Sequence, residues 1–433
     1  MTLPADITPR GDIDRSSRDR LRRDLRLGDA IGIGLGAIIG AGIFVVSGVA
    51  AGVAGPAFLI GLVLAGMAAT CNALSSAQLA AAYPQAGGTY EYGYRVLHPW
   101  AGFAAGWMFL ASKTAAGGTV ALGFGSYVAQ LFPAVPPRPA AVAAAVLLTL
   151  ANHFGIKKAG RLNTAIVCVT VVVLIVFIAA GLPVFDPANL KPFAPAGIPG
   201  VLHSAALMFF AYTGYARIAT LGEEVHEPKK TIPKAIIISL ATSIVLYAAV
   251  ALIAVGAIGA PPMAETHAPL ERAAAAFPVP GLSIVVTLGA ATAMLGVLLS
   301  QILGISRMLF AMARRRDLPA GLEHVHPAHG VPDRGVWLTG AAIIAVAVLG
   351  SLKWVVSAAT FTILLYYGIT NVAALRMPRS DRLFPDWVAV LGLLFCAGLA
   401  LSLELATIAG GVGLLAAGFF VRVLARARHG WRI

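Results

Sequence analysis

Two long apolar stretches of this chain are broken in the middle by glycine, and the breaks fall at matching places in its two halves. The first reads Ala30-Ile-Gly-Ile-Gly-Leu-Gly-Ala-Ile-Ile-Gly-Ala-Gly-Ile-Phe44, and the second Met208-Phe-Phe-Ala-Tyr-Thr-Gly-Tyr-Ala-Arg-Ile-Ala-Thr-Leu-Gly222. Glycine inside a helix costs about 1 kcal/mol against alanine. In hydrocarbon a broken helix also strands N–H and C=O groups, at several kcal/mol each unless protein, water or a ligand pairs them. Interruptions at corresponding places in two halves are where carriers built from repeats hold their substrate. The breaks are expected at Gly40-Ala41-Gly42 and at Ala211-Tyr212-Thr213-Gly214. Half-helix N-termini attract a carboxylate, and stranded carbonyls accept from an ammonium. A zwitterion suits both, so the ligand class is an α-amino acid. For Gly32, Gly34 and Gly36, close helix packing by small residues competes with this reading.

The composition places the rest of the chain in a bilayer. Of 433 residues 58% are hydrophobic and 12% charged, against about 25% charged in a soluble domain. A spanning helix needs about 20 apolar residues. About twelve spans can be laid out, at 30–52, 57–82, 100–131, 139–154, 162–184, 201–222, 234–258, 281–312, 335–351, 354–375, 386–402 and 405–425. The expected class is all-α integral membrane. Residues 1–27 form a basic polar arm that is not a signal peptide, because its charged region is long and no clear cleavage site follows. Residues 28–376 form the transport core, in halves 28–185 and 201–376. Two additional helices follow at 384–425, then a tail at 426–433. Spans one and six are five apart, an odd number, so two five-helix copies insert with opposite orientations.

The net charge of +13 belongs to this topology and not to nucleic-acid binding. Arg10 to Arg26, Arg95, Lys157, Lys158, Arg161, Lys229, Lys230, Lys234, Arg314 to Arg316, Arg334, Arg376 to Arg382 and Arg422 to Arg432 all fall on one side if the spans alternate. The other side keeps only Arg138, Lys191, Arg272 and Lys353. The positive-inside rule then puts both termini in the cytoplasm of a multi-pass protein of the plasma (inner) membrane. Basic loops resting on anionic lipid are compatible with that.

Other chemistries find little support. No Gly-x-x-x-x-Gly-Lys-Ser/Thr run is present, so ATP is not the expected driver. Cys71, Cys168 and Cys396 sit inside spans without paired spacing, and the loop histidines His98, His226, His324, His326 and His329 show no ligand spacing. No cofactor, metal or enzymatic activity is expected. A membrane enzyme needs clustered acids or histidines at one face, for which only Glu223-Glu224 and His324-x-His326 offer themselves.

Several segments, in order, carry a family resemblance. They are Gly40-Ala-Gly-Ile-Phe44, Tyr83-Pro-Gln-Ala-Gly-Gly-Thr-Tyr-Glu-Tyr92, Gly155-Ile-Lys-Lys-Ala-Gly-Arg-Leu-Asn163, Phe209-Phe-Ala-Tyr-Thr-Gly214, Glu223-Glu-Val-His-Glu-Pro-Lys-Lys-Thr-Ile-Pro233, and Ser306-Arg-Met-Leu-Phe-Ala-Met-Ala-Arg314 with Asp317-Leu-Pro319. The chain resembles the amino acid–polyamine–organocation transporter superfamily, especially its cationic-amino-acid-transporter-like branch. The resemblance implies the five-plus-five inverted-repeat (LeuT-type) fold with two further helices, helices one and six unwound, and alternating access. It places substrate contacts at Ile38, Gly40, Ala41 and Gly42 on the carboxylate side. Phe209, Phe210, Ala211, Thr213 and Gly214 fall at the second break, with Phe210 at the position of an aromatic gate.

Two departures bear on the driving ion. Ala216, followed by Arg217, stands where the branch often has Asp. Thr170 stands where proton-coupled members often have a lysine in place of sodium. Lys113, inside span three, is the candidate substitute. An ammonium near the midplane must face protein or water, and desolvation favours its neutral form. Lys113 and Thr170 are therefore the coupling-ion candidates, for a proton or else sodium. Arg217 and Glu224 are read as a gate ion pair, with an electrostatic filter against cationic substrates as the sharper role for Arg217. Arg161, Arg307, Arg314 and Glu91 are read as gate and loop-packing residues. The expected function is secondary amino-acid transport, by proton symport of a neutral or small amino acid. Amino-acid or polyamine exchange, or a sensor without flux, are the alternatives.

Overall fold

The computed structural model describes residues 25–83, 87–155, 159–219 and 225–427, without the side chains of 159–164. Among the described residues there is no strand. A lone parallel bridge joins Leu25 to Val225, with the His226 N–H donating to the Leu25 carbonyl at 2.9 Å. It ties the entry of the first broken helix to the segment following the second.

The helices are α1 (Leu27–Ile38), α2 (Ser47–Ala54), α3 (Phe58–Ala82), α4 (Pro99–Leu131), α5 (Pro137–His153), α6 (Ala159–Gly181), α7 (Gly197–Phe209), α8 (Ala216–Ala219), α9 (Pro228–Ile258), α10 (Leu282–Arg314), α11 (Asp333–Leu349), α12 (Leu352–Arg376), α13 (Asp386–Leu401) and α14 (Leu405–Ala427). Short helices lie between them, among them Thr89–Tyr92, which runs on as a π turn, Gly93–Leu97.

By length and apolar character, six runs among the described residues are able to cross a membrane: Leu27–Ala82, Ala165–Val184, Pro228–Ile258, Leu282–Arg314, Leu352–Arg376 and Leu405–Ala427. The first contains both α1–α2 and α3. Three other expected spans are helical but short: α5 and α11 have 17 residues and α13 has 16. Seventeen residues rise about 25 Å, against a hydrocarbon core of about 30 Å. The outer surface suits lipid. On α6, Val169, Val172 and Val176 are exposed along one stripe while Leu174 and Phe177 are buried behind it.

Small residues set the packing. An added Cβ at Gly340 of α11 would lie 2.3 Å from Thr149 of α5, and one at Gly411 of α14 would lie 2.0 Å from Phe361 of α12. Both pairs approach as closely as only glycine permits.

The two broken helices differ. α1 ends where Ile39 turns extended (φ −77°, ψ 105°), and the chain restarts as a π turn, Gly42–Val46, that runs into α2. The opening is therefore at Ile39–Gly40, one residue before the expected start. In the second stretch α7 does not open. It tightens into a 3-10 turn over Phe210–Tyr215 and continues as α8. Expected unwinding is thus replaced here by overwinding, through Ala219. A mid-span 3-10 stretch often marks a hinge or a site.

Candidate functional site

The two interruptions touch backbone to backbone. A Cβ on Gly42 would lie 2.4 Å from the Ala211 Cα, and one on Gly214 would lie 2.2 Å from the Ala37 carbonyl oxygen. Gly40 faces α10, where an added Cβ would lie 2.9 Å from Val297. These glycines are required by reciprocal close approach. The structure thus brings Gly40, Gly42, Ala211 and Gly214 to one place. Ile38, Ala41, Phe209 and Thr213 are buried around it, and Phe210 is 8% exposed.

Side chains from other helices take up the carbonyls freed there. The Tyr247 hydroxyl of α9 donates to the Ile38 carbonyl at 2.8 Å. The Tyr127 hydroxyl of α4 donates to the Phe44 carbonyl in the π turn at 2.7 Å. The Thr213 carbonyl accepts from the Tyr367 hydroxyl at 3.4 Å and from Lys113 Nζ at 3.5 Å, while the Thr213 hydroxyl donates back to the Phe210 carbonyl. Rings close the rest. Phe209 stands edge-on to Tyr367 at 5.8 Å, Tyr215 stacks on Tyr367 at 5.3 Å, and Tyr212 lies 5.5 Å from Tyr247. Tyr247 and Tyr367 were missed in the sequence. Their signal was a phenol in mid-span, Tyr367 beside Tyr366, which needs an acceptor when buried.

Of the candidate cations, Lys113 falls at the same centre. Lys113 is 6% exposed and lies 5.8 Å from the Phe109 ring centroid. Its ammonium points at the second interruption and lies within Coulombic reach of Arg217. Arg217 is half-buried, its guanidinium against Gly304 of α10. Thr170 is buried in α6, and its hydroxyl donates to the Ile166 carbonyl of its own helix at 2.8 Å. Glu224, the expected partner of Arg217, lies outside the described residues.

A charged network sits at the end of the bundle that carries the basic connections. Asp317, just past α10, and Arg422 of α14 are both 0% exposed. Asp317 accepts from Arg422 Nε at 3.0 Å, Arg426 Nη2 at 3.3 Å, the Tyr90 hydroxyl at 2.9 Å and the Tyr94 hydroxyl. Arg422 also covers the Trp100 ring at 4.5 Å. Beside it Glu91 pairs with Arg95 and with Arg315. Glu91 therefore packs loops as expected, but through Arg315. Arg307 and Arg314 are exposed, and the Arg161 side chain is outside the described residues.

A cavity of about 830 Å³ opens at the opposite end, lined by Gly48, Gly52, Ser126, Arg138, His267 and Lys353 among others. None of the residues at the paired breaks lines it. It begins about two turns beyond Gly42 along the same helical path.

Comparison with known proteins gives the family. The profile described as amino acid permease matches residues 25–421. An uncharacterized transporter of Mycobacterium tuberculosis is 44% identical over 406 residues, covering 93% of this chain and 91% of its own. A methylthioribose transporter of Bacillus subtilis is 33% identical, covering 78% and 77%. A branched-chain amino acid permease of the same organism is 31% identical, covering 96% and 95%. The chain, a multi-pass membrane protein and a transporter rather than an enzyme, belongs to the amino acid permease family of the amino acid–polyamine–organocation superfamily.

Proposed function

We propose that the protein is a secondary active transporter that carries a neutral or small amino acid by alternating access, in symport with a proton. The supporting observation is the meeting of the two interrupted helices at Gly42–Ala211 and Gly214–Ala37, with the Thr213 carbonyl accepting long side-chain bonds of 3.4 and 3.5 Å from Tyr367 and Lys113. A substrate ammonium competes with Lys113 for that carbonyl. A substrate carboxylate meets the N–H groups of the half-helix that restarts at Ala41–Gly42, where the dipole is positive. Ile38, Gly40, Phe209, Phe210 and Ala211 shape the remaining wall, and among the described residues no acidic side chain stands with them to favour a polyamine.

Lys113 is the coupling group in this reading. Its ammonium is buried and donates to the Thr213 carbonyl at the second interruption, so the proton it carries and the bound substrate meet at one place. Lys113 at the centre, with Arg217 three residues past Gly214, also disfavours lysine and arginine as substrates. The same reading takes the helices as twelve spans in a five-plus-five inverted repeat with two more at the C-terminal end. It puts both termini in the cytoplasm and the protein in the plasma membrane, from the distribution of Lys and Arg. A second reading rests on the methylthioribose transporter: a neutral polar solute other than an amino acid.

Flux into proteoliposomes separates these. A panel of labelled amino acids, putrescine and methylthioribose is tested with an inward proton gradient, an inward sodium gradient, no gradient, and preloaded substrate. Proton-driven accumulation of a neutral amino acid, abolished by Lys113→Met, is expected. Sodium-driven uptake, flux only against preloaded substrate, or rapid arginine uptake would each overturn the corresponding part.

A further inference from the structure

Three imidazoles that the sequence keeps far apart come together at the basic end of the bundle. His153 is the last residue of α5, while His326 and His329 lie in the connection between α10 and α11. One ring nitrogen from each lies within 4.8 Å of those of the other two. The rings of His326 and His329 are stacked, with centroids 4.6 Å apart. His153 meets them edge-on at 5.4 and 5.6 Å.

Both sides of the cluster are fixed by backbone. The Asn152 side chain donates to the Leu148 carbonyl and, at 3.3 Å, to the Leu299 carbonyl of α10, which pins the end of α5. The chain turns away at Gly155, at φ +67°, where a Cβ would lie 3.2 Å from the His329 carbonyl oxygen. In the loop, the His326 N–H donates to the Val331 carbonyl at 2.9 Å and the Gly330 N–H to the His326 carbonyl at 2.8 Å. Trp337 and Phe154 wall the cluster, 5.3 Å from His153 and 5.5 Å from His329.

Ring stacking accounts for the proximity of the imidazoles but not for their polar atoms. The Nδ1 of His153 is buried and has no hydrogen-bond partner, a costly state for a polar atom. We propose that His153, His326 and His329 form a binding site for a divalent transition-metal ion of the Zn²⁺ class, which clips the end of α5 to the α10–α11 connection. Three neutral nitrogen donors without a carboxylate in the set suit Zn²⁺, Co²⁺, Ni²⁺ or Cu²⁺ and not Mg²⁺ or Ca²⁺. Three protein ligands leave a fourth position for water. Tetrahedral Zn–N bonds of about 2.0–2.1 Å hold the nitrogens about 3.3 Å apart, so the rings close by at most about 1.5 Å. The His326 Nδ1 accepts from the Ala328 N–H at 3.3 Å. That long bond gives way either to the metal or to a proton on Nδ1 that frees Nε2. His324 stands outside the set, paired with Asp333 at 2.7 Å.

The test uses the full-length protein in detergent, its affinity tag cleaved off and its metals stripped. Zn²⁺ is titrated in competition with a chromophoric chelator, and Co²⁺ is followed by its d–d absorption. We expect one Zn²⁺ per chain and an intense tetrahedral Co²⁺ spectrum. We expect affinity weakened by more than about 100-fold in His329→Ala and in His153→Gln, beyond what outer-shell changes produce, and unchanged in His324→Ala. Zn²⁺ also raises the unfolding temperature of the wild type by mass action. Absence of saturable binding, or equal affinity in wild type and the His326→Ala/His329→Ala double variant, would overturn the site. Should the variants not fold, the wild-type Co²⁺ spectrum decides: a weak octahedral spectrum counts against the site.

Discussion

The centre of the molecule and its basic end solve the same problem, buried polar groups, with opposite means. At the centre the groups are backbone carbonyls, and side chains from distant helices donate to them: Tyr247 to Ile38, and Tyr367 and Lys113 to Thr213. Two of these bonds are long, so a ligand can replace them at small cost. At the basic end the groups are full charges, and Asp317 is saturated by two arginines and two tyrosines. A charge so surrounded cannot exchange partners without a large penalty. In the proposed function the first region is the one that rearranges, while the second ties α14 to the end of α10 and to the segment Tyr90–Tyr94.

Substitutions break this contrast in order of size. Asp317→Asn or Arg422→Leu leaves an uncompensated buried charge, at about 3–5 kcal/mol. Thermal unfolding in detergent should show a large loss, or no monodisperse protein at all. Gly214→Val overpacks a backbone contact, at about 1–3 kcal/mol. The protein should remain monodisperse while amino-acid uptake falls to background. Tyr247→Phe removes one hydroxyl from the Ile38 carbonyl, at about 1 kcal/mol, seen as a small drop in unfolding temperature. Lys353→Ala is the foil for Asp317. Its pair with Glu404 is about half exposed on both sides, and such pairs contribute about 0–1 kcal/mol, so neither stability nor uptake should change measurably.

The glycine breaks were legible because glycine in mid-span is costly and therefore conspicuous. Their form was less so. Extended Ile39 opens the first helix, whereas residues 210–215 tighten the second, and nothing in Phe-Ala-Tyr-Thr-Gly-Tyr distinguishes 3-10 winding from unwinding. The donors to the freed carbonyls were not legible either, since Tyr247 and Ile38 are 209 residues apart. Spacing does not bring the histidines together either. His326 and His329 look like scattered loop residues until α5 delivers His153 beside them. Arg217 was readable as a cation in the span, and the structure adds its reach to Lys113.

Equilibrium binding tests the central claim most directly, that the paired breaks hold the amino acid. Labelled leucine, alanine and serine are bound to purified wild type, Phe210→Ala and Ala211→Leu, with unfolding temperatures measured in parallel. For whichever amino acid binds the wild type, both variants should lose at least about tenfold in affinity, which is about 1.4 kcal/mol, while staying folded at the temperature of the binding measurement. Undiminished affinity in both variants would place the amino acid elsewhere and contradict the reading.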